Sequence, residues 1–271
     1  MRALIFDYDG VLLRSERPKA AGWVLAALAI KAEVGGSLID SIRAGDPIAA
    51  KAAFEWICRE RGPAIKTVTS FAGLSREDTC NAVWAALLSQ YRGPLGPEDL
   101  NALRTSIRDA ILLANAAAIP GSVCLVQAAS TRLHLGLVTH AKRQDVETQT
   151  AHFGIPLRLF RAIECCGDND ASGNSELVKT LAYSTLCRRL GAKPSEAFGF
   201  EDSSAGVTAA ASAGIDCIGL RGSDNPQNLS SAKLVVQDLG WLATPDIIQM
   251  LVVSVASEAI DNLKRLSPAN C

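Results

Sequence analysis

The stretch Ala3-Leu4-Ile5-Phe6-Asp7-Tyr8-Asp9-Gly10 is the part of the chain that decides the fold class. Four apolar residues end abruptly at an acidic, glycine-containing segment, and this pattern is typical of a buried strand in a parallel sheet. Polar side chains that follow such a strand lie where open α/β sheets bind their ligands. The sequence therefore predicts a first buried strand with chemically active residues at its carboxyl end.

Residues 16–115 have a different character. Alanine-rich amphipathic stretches, among them residues 49–59 and 76–90, carry apolar side chains at three- and four-residue spacing, which indicates helices. Breakers such as Gly45-Asp46-Pro47 and Gly93-Pro94-Leu95-Gly96-Pro97 separate these stretches. We expect this segment to be all helical and to contain no strand.

Helices and strands alternate again after Ile119-Pro120-Gly121. The predicted helices cover residues 122–129, about 143–153, 183–191 and 204–213, and the predicted strands cover 133–138, 197–200, 217–220 and 234–236. Such alternation is typical of a parallel sheet that is covered by helices. We predict an α/β protein with a Rossmann-like parallel-sheet core, residues 1–15 and 116–271, and an inserted all-helical domain, residues 16–115.

The composition argues against several classes of partner. The 271 residues carry 27 basic and 28 acidic side chains, and a net charge of -1 removes the usual attraction to nucleic acid or anionic membranes. No apolar run approaches the roughly 18 residues of a membrane span, and the early acidic Asp7 argues against a signal peptide. Eight cysteines without a Cys-x-x-Cys pair indicate a reducing compartment. We expect a cytoplasmic monomer or homodimer.

Two further segments resemble a membrane helix and a calcium-binding loop, and we assign neither function to them. The apolar helix predicted after Thr244-Pro245-Asp246, which includes Ile247 and Val255, is interrupted by polar residues and is expected to pack in the core or at a dimer contact. Residues 168–173 mimic the opening of a calcium-binding loop, but the twelfth position is Lys179 where a glutamate is required. We therefore interpret them as an ordinary loop.

Polar residues follow three predicted strands of the core: Asp7 and Asp9, then Thr139, then Glu201 and Asp202. Because the carboxyl ends of parallel strands meet at one edge of the sheet, we expect these side chains to converge. Four carboxylates at one place would repel one another unless a cation lay between them, and hard oxygen ligands suit Mg²⁺. The sequence therefore predicts a magnesium site.

The spacing of these residues also suggests a reaction. Asp7 and Asp9 lie two residues apart and point the same way along an extended chain, so one carboxylate is placed to attack while the other handles a proton. Gly10 allows the backbone to approach an anion closely. Thr139, ahead of a predicted helix, offers a hydroxyl and nearby amides to phosphate oxygens.

These residues carry a family resemblance. The stretch Phe6-Asp7-Tyr8-Asp9-Gly10-Val11-Leu12 resembles the first signature of the haloacid dehalogenase-like (HAD) hydrolase superfamily, and Leu137-Val138-Thr139 is similar to the second. Residues 200–206 followed by 209–214 resemble the fourth signature, in the form found in the phosphoglycolate phosphatase and β-phosphoglucomutase-like branch. The helical insert resembles the mobile C1-type cap of that branch, so the likeness covers nearly the whole chain.

The resemblance implies a Mg²⁺-dependent phosphatase that acts on a small phosphorylated metabolite. Asp7 would be the nucleophile that forms an aspartyl-phosphate, and Asp9 would protonate the leaving alcohol and then activate water. Mg²⁺ would bind the Asp7 carboxylate, the Asp9 main-chain carbonyl and Asp202. Thr139 would hold a phosphoryl oxygen. Glu201 would either add a metal contact or serve only as an acidic residue at a helix N-terminus.

The third signature departs from the family pattern. The branch usually has a lysine that opens a Lys-Pro-x-Pro stretch, and that stretch is absent here. Lys179, about two residues later than expected, is our first candidate for the cation that binds phosphate, because a compact ammonium suits this task. Lys142, beside Thr139, is the alternative.

Three basic residues are candidates for substrate selection. Arg14 stands where the family commonly has an aspartate, a change that affects either the substrate charge preference or a hinge contact. Arg43 and Lys51 flank Gly45-Asp46-Pro47 and are the candidates for holding a sugar phosphate if the protein is a phosphomutase, the alternative function. A catalytically retired binding module is the third hypothesis.

Overall fold

We describe the protein from a computed structural model, which describes residues 1–71, 74, 76–168, 175–222, 227–254 and 256–267. The strands are β1 (Ala3–Asp7), β2 (Leu13–Arg14), β3 (Ala117–Ala118), β4 (His134–Thr139), β5 (Ala162–Cys165), β6 (Ala197–Glu201), β7 (Asp216–Leu220) and β8 (Leu234–Val236). The α-helices are α1 (Glu16–Ile30), α2 (Gly36–Arg43), α3 (Pro47–Glu60), α4 (Gly62–Thr69), α5 (Arg76–Leu87), α6 (Pro97–Asn115), α7 (Pro120–Ala129), α8 (Arg143–Phe153), α9 (Ser175–Leu190), α10 (Ser204–Ser212), α11 (Pro245–Val253) and α12 (Ala256–Leu266). Short 3₁₀ turns cover Leu157–Leu159, Cys166–Asp168, Pro194–Glu196 and Gly240–Ala243.

Within the described residues, six strands form one parallel sheet in the order β5-β4-β1-β6-β7-β8. The chain runs outward from β1 to β4 and β5, and then returns to build β6, β7 and β8 on the other side of β1. The strand order therefore reverses at β1. In open α/β sheets, the crevice at the carboxyl ends beside such a reversal is where ligands bind.

The first strand forms because its side chains are buried on both faces of the sheet. All five residues of β1 are buried. The Phe6 ring stacks on Phe200 of β6 at 4.7 Å between centroids and meets Phe160 edge-on at 6.0 Å. Ile5 points to the opposite face, into a core cluster that also contains Tyr183 and Leu186 of α9. Hydrophobic burial on both faces fixes the register of the residues that follow.

The chain divides into two compact units. One contains Met1–Arg14 and the described residues of the sheet-bearing part from Ala118 onwards, and the other contains Ser15–Ala117. In the second unit, α1 is buried over most of its surface and packs against α3, α4 and α6. Its many alanines allow this close approach of neighbouring helices. Arg104 of the same unit lies over the Trp23 ring, 5.0 Å from the ring centroid.

The structure confirms the predicted α/β class and its parallel sheet. Helix α9 begins at Ser175, eight residues before the predicted start at 183, so Lys179 lies within this helix and not ahead of it. The other predicted helices and strands lie within about three residues of their predicted bounds, as is usual for boundaries read from sequence. The described residues between 16 and 115 form helices joined by turns and contain no strand, as expected. None of the described helices has the length and apolarity needed to cross a membrane.

Two further predictions about elements were wrong. Strand β5, Ala162–Cys165, was not predicted, because it is short and half its residues are only partly buried, so it shows neither alternation nor a long apolar run. Its pairing with β4 defines it. The C-terminal apolar helix does not continue as expected, because α11 ends at Val253 and α12 begins at Ala256. The calcium-like loop lies largely outside the described residues, which resume at 175.

Candidate active site

The strand register brings together the residues that the sequence places after three strands. Asp7 ends β1 and is aligned with Val138, the residue before Thr139 in β4. On the other side, Phe6 is aligned with Phe200, the residue before Glu201 in β6. The carboxyl ends of β4, β1 and β6 therefore lie side by side, at the reversal of strand order.

Three carboxylates form a buried acidic cluster at this edge. Oxygen atoms of Asp7, Glu201 and Asp202 all lie within 4.8 Å of one another. Asp7 and Asp202 are each 6% exposed, and Glu201 is fully buried. Burying carboxylates so close together is costly unless cations neutralise them.

Lys179 supplies one positive charge to the cluster. Its ammonium Nζ lies 3.0 Å from Asp7 Oδ1 and 2.7 Å from Glu201 Oε1, and the side chain is almost completely buried. Lys179 comes from the second turn of α9, about two residues after the position that the family resemblance implies, and Leu177, two residues before it, is exposed. The helix thus carries the lysine to the site without the missing Lys-Pro-x-Pro stretch.

Glu201 has donors other than the lysine. Its Oε1 also accepts a hydrogen bond of 2.8 Å from the Tyr183 hydroxyl, and its Oε2 lies 3.5 Å from Ser203 Oγ. A Cβ added at Gly206, in the first turn of α10, would lie only 2.0 Å from Oε2. The glycine therefore leaves the space in which the Glu201 carboxylate sits.

The electrostatics of the site follow from this burial. Burial raises the pKa of Asp7 to about 8, with a further contribution from the Glu201 carboxylate, while Lys179 acts in the opposite direction. Burial opposes the charge of Lys179, but Asp7 and Glu201 outweigh it and raise the pKa of the lysine. Burial, followed by the nearby Glu201 charge, also raises the pKa of Tyr183, so its hydroxyl remains a hydrogen-bond donor.

The loop after β1 packs against Asp202. Gly10 has φ +74°, a left-handed conformation that side chains disfavour, and its N–H donates to Leu13 O at 2.8 Å. A Cβ at Gly10 would lie 1.9 Å from Asp202 Oδ2. Asp9 is half-buried in this loop and forms a bridge with Leu13. A glycine is required here because Asp202 occupies the space of a side chain.

Thr139 and Lys179 are buried at this edge of the sheet, whereas Lys142 is exposed. Thr139 is buried, and its Oγ1 accepts a 3.0 Å hydrogen bond from Ala141 N, which leaves its O–H available as a donor. Lys142, the N-cap of α8, is exposed, whereas Lys179 contacts Asp7 directly. The structure thus brings Lys179, and not Lys142, to the nucleophile candidate.

The structure does not add the three predicted specificity residues to this cluster. Arg14 is exposed in β2, and Lys51 is exposed in α3. The Arg43 Nε donates to Ser106 Oγ at 3.0 Å, and its guanidinium pairs with Asp40.

The donor set at the sheet edge fits a divalent cation. Three carboxylates against one ammonium leave a formal charge of −2 when all are ionised, which is the charge that Mg²⁺ would balance. All donors are oxygens, the ligand type that Mg²⁺ prefers. Gly10 keeps the Asp202 carboxylate close to the loop that carries Asp9.

Sequence reasoning assigned no role to Tyr183. The signal that was available is its spacing, because Lys179 and Tyr183 lie four residues apart and so share one face of α9. Only the fold shows that the same carboxylate lies opposite both side chains.

The family model described as haloacid dehalogenase-like hydrolase matches residues 1–214, and the chain belongs to this family. It is therefore an enzyme of the hydrolase class, as the resemblance implied.

Individual proteins of known name are similar to this chain. The chain is 28% identical over 249 residues to the validoxylamine A 7'-phosphate phosphatase of Streptomyces hygroscopicus subsp. limoneus, covering 91% of this chain and 98% of that one. A predicted phosphoglycolate phosphatase from Haemophilus somnus has a similar structure, with a TM-score of 0.66, 16% identity and coverage of 92% and 97%. A β-phosphoglucomutase from Clostridium difficile is also similar in structure, with a TM-score of 0.61 and 20% identity, over 93% of this chain and 97% of that one. These neighbours belong to the branch that the signatures indicated.

Proposed function

We propose that this enzyme hydrolyses the phosphate monoester of a small metabolite, with Asp7 as the nucleophile and Mg²⁺ as the cofactor. The observation that carries the proposal is the buried contact between Lys179 and Asp7 inside an acidic cluster at the sheet edge. An ammonium beside a nucleophilic carboxylate is suited to a dianionic phosphoryl group. The Streptomyces relative, named as a phosphatase, supports the same reaction class.

In the first step, an oxygen of Asp7 attacks the phosphorus atom and forms an aspartyl-phosphate. The bond from phosphorus to the alcohol oxygen breaks, and Asp9 donates a proton to that oxygen. The Lys179 ammonium and the Thr139 hydroxyl hold phosphoryl oxygens, and Gly10 allows backbone amides to approach them. The alcohol then leaves as a neutral product.

In the second step, water attacks the phosphorus atom of the aspartyl-phosphate. Asp9, now a carboxylate, accepts a proton from the water, and the bond from phosphorus to the Asp7 oxygen breaks. Inorganic phosphate leaves, and Asp7 and Asp9 return to their starting states. Dividing the reaction in this way avoids a direct attack of water on the ester.

The Asp7 and Asp202 carboxylates and the Asp9 main-chain carbonyl would hold the Mg²⁺ ion. When bound, the cation would offset the repulsion between the anionic nucleophile and the phosphate. Glu201 belongs to the same cluster, but its Oε1 already accepts hydrogen bonds from Lys179 and Tyr183.

We further propose that residues 16–115 are a cap domain inserted between the two segments, 1–15 and 116–271, of the core, and that this domain selects the substrate. Lys51, in this domain, and Arg14, in the core segment just before it, are exposed and charged, so both side chains are accessible to an anionic substrate. Arg43 donates to Ser106 and pairs with Asp40, and its side chain is 45% exposed.

We also propose a cytoplasmic, reducing setting. Cys80, Cys187 and Cys217 are buried single thiols, each within an apolar cluster rather than in a disulfide. Small buried thiols of this kind are usual where the environment keeps cysteine reduced.

A panel of phosphorylated metabolites tests the reaction directly. The enzyme is incubated with sugar phosphates, phosphoglycolate and an aryl phosphate, in Mg²⁺ and in EDTA, and released phosphate and remaining ester are measured. We expect Mg²⁺-dependent release of phosphate. Release that persists in EDTA would contradict the cofactor proposal.

The same panel separates the alternatives. Isomerisation of a sugar phosphate without release would replace the phosphatase by a phosphomutase. The absence of any conversion across the panel, with folded protein and added Mg²⁺, would contradict phosphatase activity on small metabolites.

A further inference from the structure

We infer that Tyr183 is a positioning residue that holds Glu201 and thereby keeps the Lys179 ammonium at the phosphate-binding position beside Asp7. The inference rests on the proposed function, because it gives Lys179 a role in binding phosphate. It assigns a function to a hydroxyl that no step of the proposed reaction uses.

The contacts form one continuous chain. The Tyr183 hydroxyl donates to Glu201 Oε1 at 2.8 Å, the Lys179 ammonium lies 2.7 Å from the same oxygen, and that ammonium reaches Asp7 Oδ1 at 3.0 Å. Tyr183 and Glu201 are fully buried, and Lys179 is 5% exposed. Water therefore has little access to this chain of contacts, and each charge depends on these protein partners.

The flexibility of the Lys179 side chain explains why Glu201 needs Tyr183 as a second hydrogen-bond donor. Lysine has four rotatable bonds and is a flexible point charge, so a single contact leaves its ammonium free to move. In this protein it comes from the second turn of α9, and Tyr183 follows one turn later on the same face. One rigid helix thus presents both donors to one oxygen.

The surroundings of Glu201 leave it few other ways to be held. A Cβ on Gly206 would lie 2.0 Å from Oε2, so the carboxylate fills the space above the first turn of α10. The Ser203 hydroxyl is 3.5 Å from that oxygen, at the limit of a hydrogen bond. The tyrosine ring packs beside Gly199 of β6, where an added Cβ would touch the ring at 3.6 Å. Its hydroxyl is the short neutral contact that orients the carboxylate.

A double-mutant cycle tests the inference. The affinity for inorganic phosphate is measured by ³¹P NMR titration at saturating Mg²⁺ for the wild type, Tyr183→Phe, Lys179→Met and the double variant. We expect Tyr183→Phe to weaken phosphate binding about tenfold in the wild-type background, the size of one hydrogen bond to a charged group. In the Lys179→Met background it should change binding less than twofold, because the effect passes through the lysine.

Tyr8→Phe is the matched control. Tyr8 is also fully buried and lies beside Asp7 in the chain, but its hydroxyl has no hydrogen-bond partner among the described residues. Loss of that hydroxyl should leave phosphate affinity unchanged. If Lys179→Met does not fold, as judged by circular dichroism, Glu201→Gln replaces it in the cycle.

Each outcome decides the question. An equal loss of affinity in both backgrounds, or no loss in Tyr183→Phe, overturns the inference and leaves Tyr183 with a merely structural role. A wild type that binds no phosphate also overturns it. A non-additive cycle in an enzyme that hydrolyses no ester supports the inference about Tyr183 and contradicts only the proposed function.

Discussion

The behaviour of single residues at this site depends on burial more than on residue type. Asp7 is almost completely buried in the acidic cluster, and the Lys179 ammonium is its close cationic partner. The same aspartate on the surface would be an ordinary solvated acid. Burial and the neighbouring carboxylate of Glu201 raise the pKa of Asp7, which makes its charge depend on added cations. The proposed nucleophile, the Lys179 ammonium and the other two carboxylates of the acidic cluster therefore lie within a few ångströms of one another.

Replacing Asp7 by asparagine tests the nucleophile. Asp7→Asn keeps the size of the side chain but removes the attacking oxygen anion, so we expect a loss of at least about a thousandfold in the turnover of an aryl phosphate. Asp109→Asn, at an exposed aspartate of α6 in the helical unit, is the control and should have full activity. Mg²⁺-dependent turnover that survives in Asp7→Asn would show that another group attacks.

The two lysine candidates are separated by parallel substitutions. Lys179→Met should weaken both phosphate binding and turnover strongly, because it removes the ammonium that contacts Asp7 and Glu201. Lys142→Met should change either quantity less than about twofold, as is usual for an exposed charge. Steady-state kinetics with product inhibition by phosphate measure both effects. The opposite ranking would move the role to Lys142.

At the scale of elements, the site is formed by the ends of strands and the first turns of helices. Strands β1, β4 and β6 end in register at one edge, which places Asp7, Thr139 and Glu201 side by side. Helix α10 begins directly behind Glu201 and Asp202, with Ser203 as its N-cap and Gly206 in its first turn. Helix α9 carries Lys179, whose ammonium contacts Asp7 and Glu201.

Two glycines in helices are expected to respond in opposite ways to alanine. Gly206→Ala should lower the unfolding temperature, because its Cβ would displace the Glu201 carboxylate from its donors, at a cost of about 1 to 3 kcal/mol. Gly22→Ala, in α1, meets nothing within 4 Å and should stabilise its helix by about 0.5 to 1 kcal/mol. Thermal unfolding of both variants provides the comparison. Equal shifts would contradict the packing described at Gly206.

At the scale of the whole molecule, a nearly neutral protein contains a strongly negative centre. The chain has a net charge of -1, yet its acidic cluster combines three buried carboxylates with one lysine. The low net charge therefore says little about the site, since charges elsewhere compensate for it. The local charge makes cation binding favourable and dependent on pH.

The affinity for Mg²⁺ should rise with pH. Burial raises the pKa of Asp7 to about 8, and the proposed Mg²⁺ site includes this carboxylate, so below that pH the binding of Mg²⁺ would have to displace a proton. The apparent association constant should therefore increase from pH 6 to about 8, by up to about tenfold per unit, and level off above. Isothermal titration calorimetry from pH 6 to 9 measures this. Asp7→Asn should bind more weakly and lose the dependence.

Thiol reactivity reports on burial across the sheet-bearing unit. Burial raises the pKa values of Cys165, Cys166 and Cys187 to about 11, so these thiols should stay unmodified by iodoacetamide at pH 7.5. Cys124 is exposed in α7 and should react. Mass-spectrometric mapping in the native and guanidinium-unfolded states distinguishes them. Fast native modification of Cys187 would contradict its buried position.

Much of this organisation could be predicted because it depends on local pattern. The apolar run before Asp7 predicted β1, and the small-residue segment after Ser203 predicted α10. Strand β5 could not be predicted, since only its pairing with β4 distinguishes it from a loop. The choice between Lys179 and Lys142 also stayed open, because the sequence gives no distance between either lysine and Asp7.

The sequence by itself determined the parallel α/β class, the helical insert and the set of polar residues that follow the strands. Each of these depends on periodicity or on chain order, which a sequence records directly. Only the tertiary structure placed Lys179 against Asp7 and gave Glu201 a second donor in Tyr183. Those contacts join β1, β6 and α9, and the way a helix packs on a sheet depends on the burial of many side chains together.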